Sequence, residues 1–327
     1  MTEEAMRRAA EVLRDAGDVA LACHINPDPD ALGSMLGLSA FLRERGASTV
    51  CSFPNEPFDV PGWLEGFAPT EALVAPSAFP EAPDVMVTCD CASLDRLGRL
   101  AGASARAREL IWIDHHVSNE GLGTIPVIEP AASSTAEMVF RLTRVIGGNL
   151  PTDAAALLYA GLVTDTGRFQ YEAVRPETLR LAADLREYGF DHSRLVQILY
   201  EDNGLGYLKL VGTALERLRR EASADLVWTY LTQADLAAAS VDPSETDDLI
   251  DVVRTAREAD VAALVKQQRD GLFKVSMRSR GAHDLARVAA GFGGGGHRLA
   301  SGYTSTVGLA ETVEQLQDAL RASYGGA

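Results

Sequence analysis

The chain has 327 residues, 46% of them hydrophobic and 23% charged, so two cores can be buried and two domains are expected. A formal net charge of −16 excludes a basic surface that coats long nucleic acid, but not a small phosphorylated substrate, because bound divalent cations and a few local Arg or His can supply a positive field. The longest apolar run, 154–163, falls well short of the roughly 20 residues that span a bilayer, and the charged N-terminus has no apolar signal core; a cytoplasmic protein with no membrane partner is expected.

In chain order, the pattern predicts a helix over 3–16, a strand over 18–23 and a helix over 31–44. The last of these turns Leu32, Met35, Leu36, Leu38 and Leu42 inward and ends at Gly46. Strands follow near 48–53, 84–89, 110–113 and 124–128, and the Pro-rich stretch 54–83 reads as an irregular excursion. Helices are expected near 133–146, 152–163, 176–188 and 192–202, and 187–222 reads as a helical, increasingly charged connector. The pattern then restarts: a strand at 226–231, a helix at 244–258, strands at 261–268 and 272–279 around the Asp270-Gly271 turn, and a helix at 284–290. The expectation is an α/β protein: a mostly parallel sheet with helices on both faces, plus a smaller mixed α/β C-terminal domain. Its expected parts are a domain over 1–186, a helical linker over 187–209 and a second domain over 210–327.

Cys23, Cys51, Cys89 and Cys91 fall on or beside expected strands and make no CxxC spacing. Buried free thiols in a reducing compartment are the plain reading. On an extended strand, Cys89 and Cys91 would both point away from Asp90 between them.

Chemistry-bearing residues follow apolar runs at four places: His24-Ile25-Asn26-Pro27-Asp28-Pro29-Asp30, Asp90, Asp114-His115-His116, and Asp165 in Thr164-Asp165-Thr166-Gly167. Three of the preceding runs are expected strands, and open α/β sheets bind ligands beyond the carboxyl ends of their strands. Carboxylates and neutral imidazoles together suit a first-row divalent ion better than Mg²⁺. Two such ions need bridging carboxylates, for which Asp90 and Asp165 are the natural candidates. Each piece also has a plainer reading: Asp30 or Asp90 as a helix N-cap, His24 as a core histidine, Asp114-His115-His116 as a surface cluster. Coincidence favours the metal reading, because three of the six histidines fall at this rim together with the acids.

The second informative segment is Gly293-Gly294-Gly295-Gly296-His297-Arg298-Leu299-Ala300-Ser301-Gly302. Consecutive glycines can turn backbone N–H groups towards an anion, and a helix beginning near His297 would add to that field. No Walker or dinucleotide spacing is present, and a flexible loop is the alternative. Arg278 and Arg280, two apart on an expected strand with His283 nearby, are either a clamp facing this loop or a solvated edge.

These motifs in this order (HINPDPDALGS, VTCDCAS, IDHH, VTDTGRF, then GGGGHRLASG) resemble the DHH phosphoesterase superfamily with its DHH-associated C-terminal domain, over essentially the whole chain. Length and motif set resemble the group of bacterial nano-RNA phosphodiesterases and 3′-phosphoadenosine-5′-phosphate (pAp) phosphatases, some of which act on cyclic di-AMP. The resemblance implies two Mn²⁺ ions, one held by His24, Asp28, Asp90 and Asp165, the other by Asp30, Asp90, His115 and Asp165. It implies that His116 meets the scissile phosphate or leaving group and that Asp114 orients the histidines. Asp90, His115, His116 and Asp165 would then be the catalytic set. Arg280, Gly294, Gly295, Gly296 and His297 would grip the terminal phosphate or base of a small nucleotide or short oligoribonucleotide. A homodimer is implied in the same way. Ser301 stands where the commoner pattern has alanine. A manganese inorganic pyrophosphatase and a non-catalytic nucleotide sensor are the alternatives.

Overall fold

A computed structural model describes residues 2–64, 70–119 and 121–323. They form two compact units, 1–202 and 203–327. Among the described residues no helix is long and apolar enough to cross a membrane.

The first unit runs α1 (Thr2–Asp15), β1 (Asp18–Cys23), α2 (Pro29–Glu44), β2 (Ser48–Ser52), β3 (Val85–Cys89), α3 (Ala101–Ser104), β4 (Glu109–Asp114), β5 (Ile125–Ile128), α4 (Thr135–Ile146), α5 (Thr152–Asp165), α6 (Pro176–Arg186) and α7 (His192–Tyr200). Its strands are all parallel, in the order β2-β1-β3-β4-β5. Side chains alternate between two cores, as a sheet covered on both faces requires. Leu21, Cys23, Val87, Cys89, Ile111 and Ile113 face α1, α2, α4 and α5. Ala22, Met86 and Trp112 face a thinner layer around Leu97, Leu100 and α3.

Helices α2 and α5 are buried nearly all round and pack backbone to backbone. A Cβ on Gly33 would lie 2.3 Å from the Leu157 carbonyl oxygen, and one on Gly161 would lie 2.7 Å from the Asp30 carboxylate. Glycine at these positions lets the two helices, and the acidic groups at their ends, approach each other.

The second unit runs α8 (Leu205–Glu216), β6 (Arg219–Glu221), β7 (Leu226–Leu231), α9 (Gln233–Ala239), α10 (Leu249–Val253), β8 (Val261–Gln267), β9 (Phe273–Ser279), α11 (Leu285–Ala290), β10 (Gly295–His297), β11 (Ala300–Ser305) and α12 (Leu309–Ser323). Its sheet, ordered β10-β11-β9-β8-β7-β6, is mixed: β7 and β8 are parallel and the other neighbours antiparallel. The α/β class and the pairing of a parallel with a smaller mixed sheet are therefore as expected.

Three local expectations differ. The stretch 187–222 is not helical throughout, because Arg219–Glu221 pairs with β7 as an edge strand. The helix expected over 244–258 is a 3-10 turn at Pro243–Thr246 followed by the short α10. Arg280 Nη2 donates to the Arg254, Thr255 and Ala256 carbonyls just beyond α10 at 3.0–3.2 Å and so caps that helix end. No helix begins near His297: the glycine segment enters the β10–β11 hairpin. Gly293 and Gly294 donate their amides back to Ala290 and Ala289 at 3.1 and 2.9 Å, closing the C-terminal end of α11.

Candidate metal centre

Strand order 2-1-3-4-5 places the topological switch between β1 and β3, where ligands of doubly wound sheets sit. His24 leaves the end of β1 and Asp90 the end of β3, whose last residues Cys23 and Cys89 are register partners. Asp90 has φ +56°, a left-handed turn that aspartate tolerates, and its amide donates to the Ile113 carbonyl at 2.9 Å. That turn corrects the expectation for the thiols: Cys89 enters the core on one face of the sheet and Cys91 the core on the other. All four thiols are buried, and burial pushes each of them up, Cys51 and Cys91 to about 12.

The N-terminus of α2 supplies the next two acids. Asp28 caps it, accepting the Ala31 amide at 2.9 Å, and Asp30 lies buried in its first turn. Asp30 accepts the Thr135 and Ala136 amides at 2.7 and 2.9 Å, so the N-terminus of α4 binds both of its oxygens. Asp165 arrives from the last turn of α5. Asp114, fully buried, accepts from His116 Nδ1 at 2.7 Å and from Asn119 Nδ2 at 2.6 Å. His115 Nδ1 faces the Ala132 carbonyl at 3.3 Å, while the Asp114 carboxylate takes the His116 ring as its partner.

Potential ligand atoms converge within 4.8 Å in the groups His24/Asp28/Asp90, Asp30/His115/Asp165 and Asp90/Asp114/His116. Asp90 is common to two of them. Its Oδ2 lies 3.5 Å from His24 Nε2, and its Oδ1 lies 3.7 Å from His115 Nε2. His24 Nε2 also lies 3.8 Å from Asp28, and His115 Nε2 lies 3.3 Å from Asp165.

These groups strongly bias one another's protons. Burial pulls the His24 imidazole down, but the Asp28 and Asp90 carboxylates outweigh it and push it up to about 10. His115 and His116 are also raised, against burial, by Asp90 with Asp30 and by Asp114 with Asp90 respectively. Burial would raise Asp90, yet the surrounding imidazoles hold it well below the usual carboxylate range. Burial and the Asp90 charge push Asp30 and Asp165 well above that range. Among the described residues none of these four carboxylates pairs with lysine or arginine. Clustered acids whose charges oppose one another, with imidazole nitrogens among them, fit divalent cations: the cation removes the repulsion, and the nitrogen and oxygen donors suit a first-row ion.

Several contributors had weak signals in the sequence or none. Thr135 Oγ1 donates to Asp90 Oδ1 at 2.8 Å. Arg96 Nη2 lies 2.8 Å from His24 Nδ1, whose other near neighbour is the Ile25 carbonyl, also at 2.8 Å. The Ser134-x-x-Glu137 capping pattern is a readable cue to the helix that carries Thr135. Arg96 and Asn119 have no such cue, because nothing in their spacing ties them to the strand ends.

In the second unit, Arg280 is exposed and its Nη2 closes α10, as above. The Gly294 amide closes α11, and a Cβ there would lie 2.2 Å from the Gly302 carbonyl oxygen. Gly295, Gly296 and His297 form the edge strand β10, with Gly296 at φ +136°, and Ser301 Oγ donates to the His297 carbonyl at 2.6 Å. Asp260 organises the neighbouring loop, accepting from Ser279 Oγ at 2.6 Å, the Ala282 and His283 amides at 3.1 and 3.2 Å, and His283 Nδ1 at 2.9 Å.

Comparison with known proteins agrees with this architecture. Residues 18–162 match the DHH family N-terminal domain and 227–324 match the DHHA1 domain. The chain is 32% identical over 322 residues to the bifunctional oligoribonuclease and PAP phosphatase NrnA of Thermus thermophilus, covering 97% of this chain and 94% of that one. It is 30% identical to the NrnA of Bacillus subtilis, covering 85% and 86%. A solved exopolyphosphatase-related protein from Bacteroides fragilis shares the fold, with a TM-score of 0.89, 24% identity and coverage of 98% and 96%. The chain belongs to the DHH family of phosphoesterases, with a DHHA1 domain following the DHH domain. Its full-length curated relatives are hydrolases of oligoribonucleotides and PAP.

Proposed function

We propose that this protein is a two-metal phosphodiesterase and phosphatase that hydrolyses short phosphorylated adenine nucleotides: nano-RNA such as pApA, pAp to AMP, and cyclic di-AMP by way of linear pApA. The observation that carries the proposal is Asp90, whose two oxygens face different ligand groups. A carboxylate so placed suits bridging two cations. His24, Asp28, Asp90 and Asp165 would hold one ion, and Asp30, Asp90, His115 and Asp165 the other, with Mn²⁺ favoured by the mixed donor set. When bound, such ions acidify a water and neutralise charge growing on the phosphoryl oxygens.

The chain's own residues supply the rest. His116 donates through Nδ1 to Asp114, which fixes the ring and its tautomer, and its Nε2 is the proposed contact to substrate. Against the pull of burial, the Asp114 and Asp90 carboxylates raise its proton affinity, which suits a group placed to protonate a leaving alkoxide. Asn119, whose amide also donates to the Cys91 carbonyl at 3.1 Å, holds Asp114 from the far side. In the DHHA1 domain, His297, Arg280 and Gly294–296 are the proposed grip on the nucleotide's phosphate or base. The names of the full-length relatives support this substrate class.

The test is Mn²⁺-dependent release of AMP from pApA, with Asp90→Ala as the blank. Turnover should fall by about a thousandfold or more in the variant, the order lost when transition-state charge is no longer stabilised. Absent turnover from folded, metal-loaded wild type would overturn the proposal in favour of pyrophosphate hydrolysis or nucleotide sensing.

A further inference from the structure

The residues that hold Asp90 and Asp30 belong to one short segment, Ser133-Ser134-Thr135-Ala136-Glu137, at the start of α4. Thr135 is fully buried, and it contributes two bonds: its amide to Asp30 Oδ2 at 2.7 Å and its hydroxyl to Asp90 Oδ1 at 2.8 Å. The hydroxyl bond sets the plane of the Asp90 carboxylate. Asp90 Oδ1 then faces His115 and Oδ2 faces His24, at 3.7 and 3.5 Å. Without that bond, rotation about the terminal torsion is broad, and the imidazoles beside Oδ1, His115 at 3.7 Å and His116 at 3.8 Å, lie beyond hydrogen-bond distance of it.

The segment is itself locked from behind. Glu137, 2% exposed, accepts the Ser133 amide at 3.1 Å and the Ser133 hydroxyl at 2.6 Å. Ser134 caps α4 by accepting the Glu137 amide at 3.0 Å. Across the helix boundary, Arg175 Nη2 and Thr178 Oγ1 donate to the Glu137 carboxylate at 3.0 and 3.3 Å. Arg175 and Thr178 form the start of α6, at the end of the loop that begins after Asp165. One buried carboxylate therefore ties the segment gripping Asp30 and Asp90 to the far end of the loop that follows Asp165.

We infer that Thr135 is a positioning residue for the metal centre, splitting the oxygens of Asp90 between the two ligand groups, and that Glu137 with Arg175 holds Thr135 in that register. The inference rests on the metal-centre reading proposed above. Loss of the hydroxyl weakens cation binding and leaves the apo fold largely intact, because valine fills the same volume.

The experiment is Mn²⁺ titration of metal-stripped protein followed by electron paramagnetic resonance, with thermal melting of the same stripped samples. Thr135→Val should weaken Mn²⁺ binding by about 10- to 100-fold, the range for lost partners of metal ligands. Thr135→Ser, which keeps the hydroxyl, should restore affinity to near wild type, and Glu137→Gln should move it in the same direction as valine by a smaller factor. Should Thr135→Val not fold, Thr135→Ala carries the same expectation. Unchanged Mn²⁺ affinity in folded Thr135→Val or Thr135→Ala, or a serine variant as weak as the valine one, overturns the inference while leaving the metal centre standing. Wild type that takes up no Mn²⁺ overturns the metal-centre reading and this inference together.

Discussion

The candidate metal centre of the first unit and the loops of the second handle charge in opposite ways. In the second, internal ionic groups come with their own counter-groups: Lys266 lies against Asp247 and donates to Thr246 Oγ1 at 2.9 Å, Arg217 holds Asp235 through both terminal nitrogens at 2.6 and 2.9 Å, and Asp260 collects four donors from one loop. These groups shape loops and leave no net demand for charge. In the first unit, Asp28, Asp30, Asp90 and Asp165 meet imidazoles and backbone amides, and Asp30 and Asp165 are pushed up by the charge beside them. Polar groups that satisfy one another require no ligand; clustered acids that repel one another suit a cation.

That difference can be broken at each end. The largest expected effect is at Asp165→Asn. Its carboxyl is raised in the folded protein, so the ionised form opposes folding at neutral pH. The amide should therefore raise the melting temperature of the metal-free protein while reducing Mn²⁺-dependent turnover by roughly 100- to 1,000-fold. A metal-free melting temperature that falls instead would mean that the acids already pair within the protein.

At the other end, Asp260→Ala should destabilise the second unit by about 1–3 kcal/mol, since it leaves the His283 ring and two amides of the 279–283 loop without their acceptor. Denaturant unfolding measures the loss, and Mn²⁺ affinity should stay at the wild-type value. A parallel drop in metal affinity would break the separation.

The smallest effect is a pH dependence. With its folded value near 10 against an ordinary 6.5, His24 contributes stability to the metal-free protein in full below about pH 6.5, and that contribution is lost as pH rises towards 10. Melting temperatures of stripped protein should therefore decline across that window. Apparent Mn²⁺ affinity should rise across it, because binding displaces the His24 proton. Calorimetry in two buffers of different ionisation enthalpy reads that proton directly; an uptake in place of a release would refute the assignment of His24 as a ligand.

Much of the first unit was legible because its signals are local. Short β-branched runs alternating with helical periods specify a parallel sheet, and parallel strands all present their carboxyl ends at one rim, which groups His24, Asp90 and Asp114-His115-His116 from sequence alone. The second unit was less legible for the same reason in reverse. Its antiparallel pairings depend on long-range register, and a glycine run is compatible with a helix start, a loop or a hairpin. The helix expected over 244–258 is split into a 3-10 turn and the short α10, and Arg280, well over twenty residues away, caps the carbonyls of Arg254, Thr255 and Ala256 that follow it, a contact no local pattern announces.

The sequence by itself determined the class of sheet, the order of the motifs and the chemistry of the donor set, because these follow from hydrophobic period and residue type along a short stretch. Only the tertiary structure decided which oxygen of Asp90 faces which histidine, that Asp30 rests on the amides of α4, and that Asp114 bonds to His116 while His115 faces Ala132. Those facts depend on Gly33 and Gly161 letting α2 and α5 touch, and on a buried Glu137 anchoring a helix start. Hydrogen-bond geometry is set at ångström scale by contacts between segments far apart in the chain, and no local pattern encodes it.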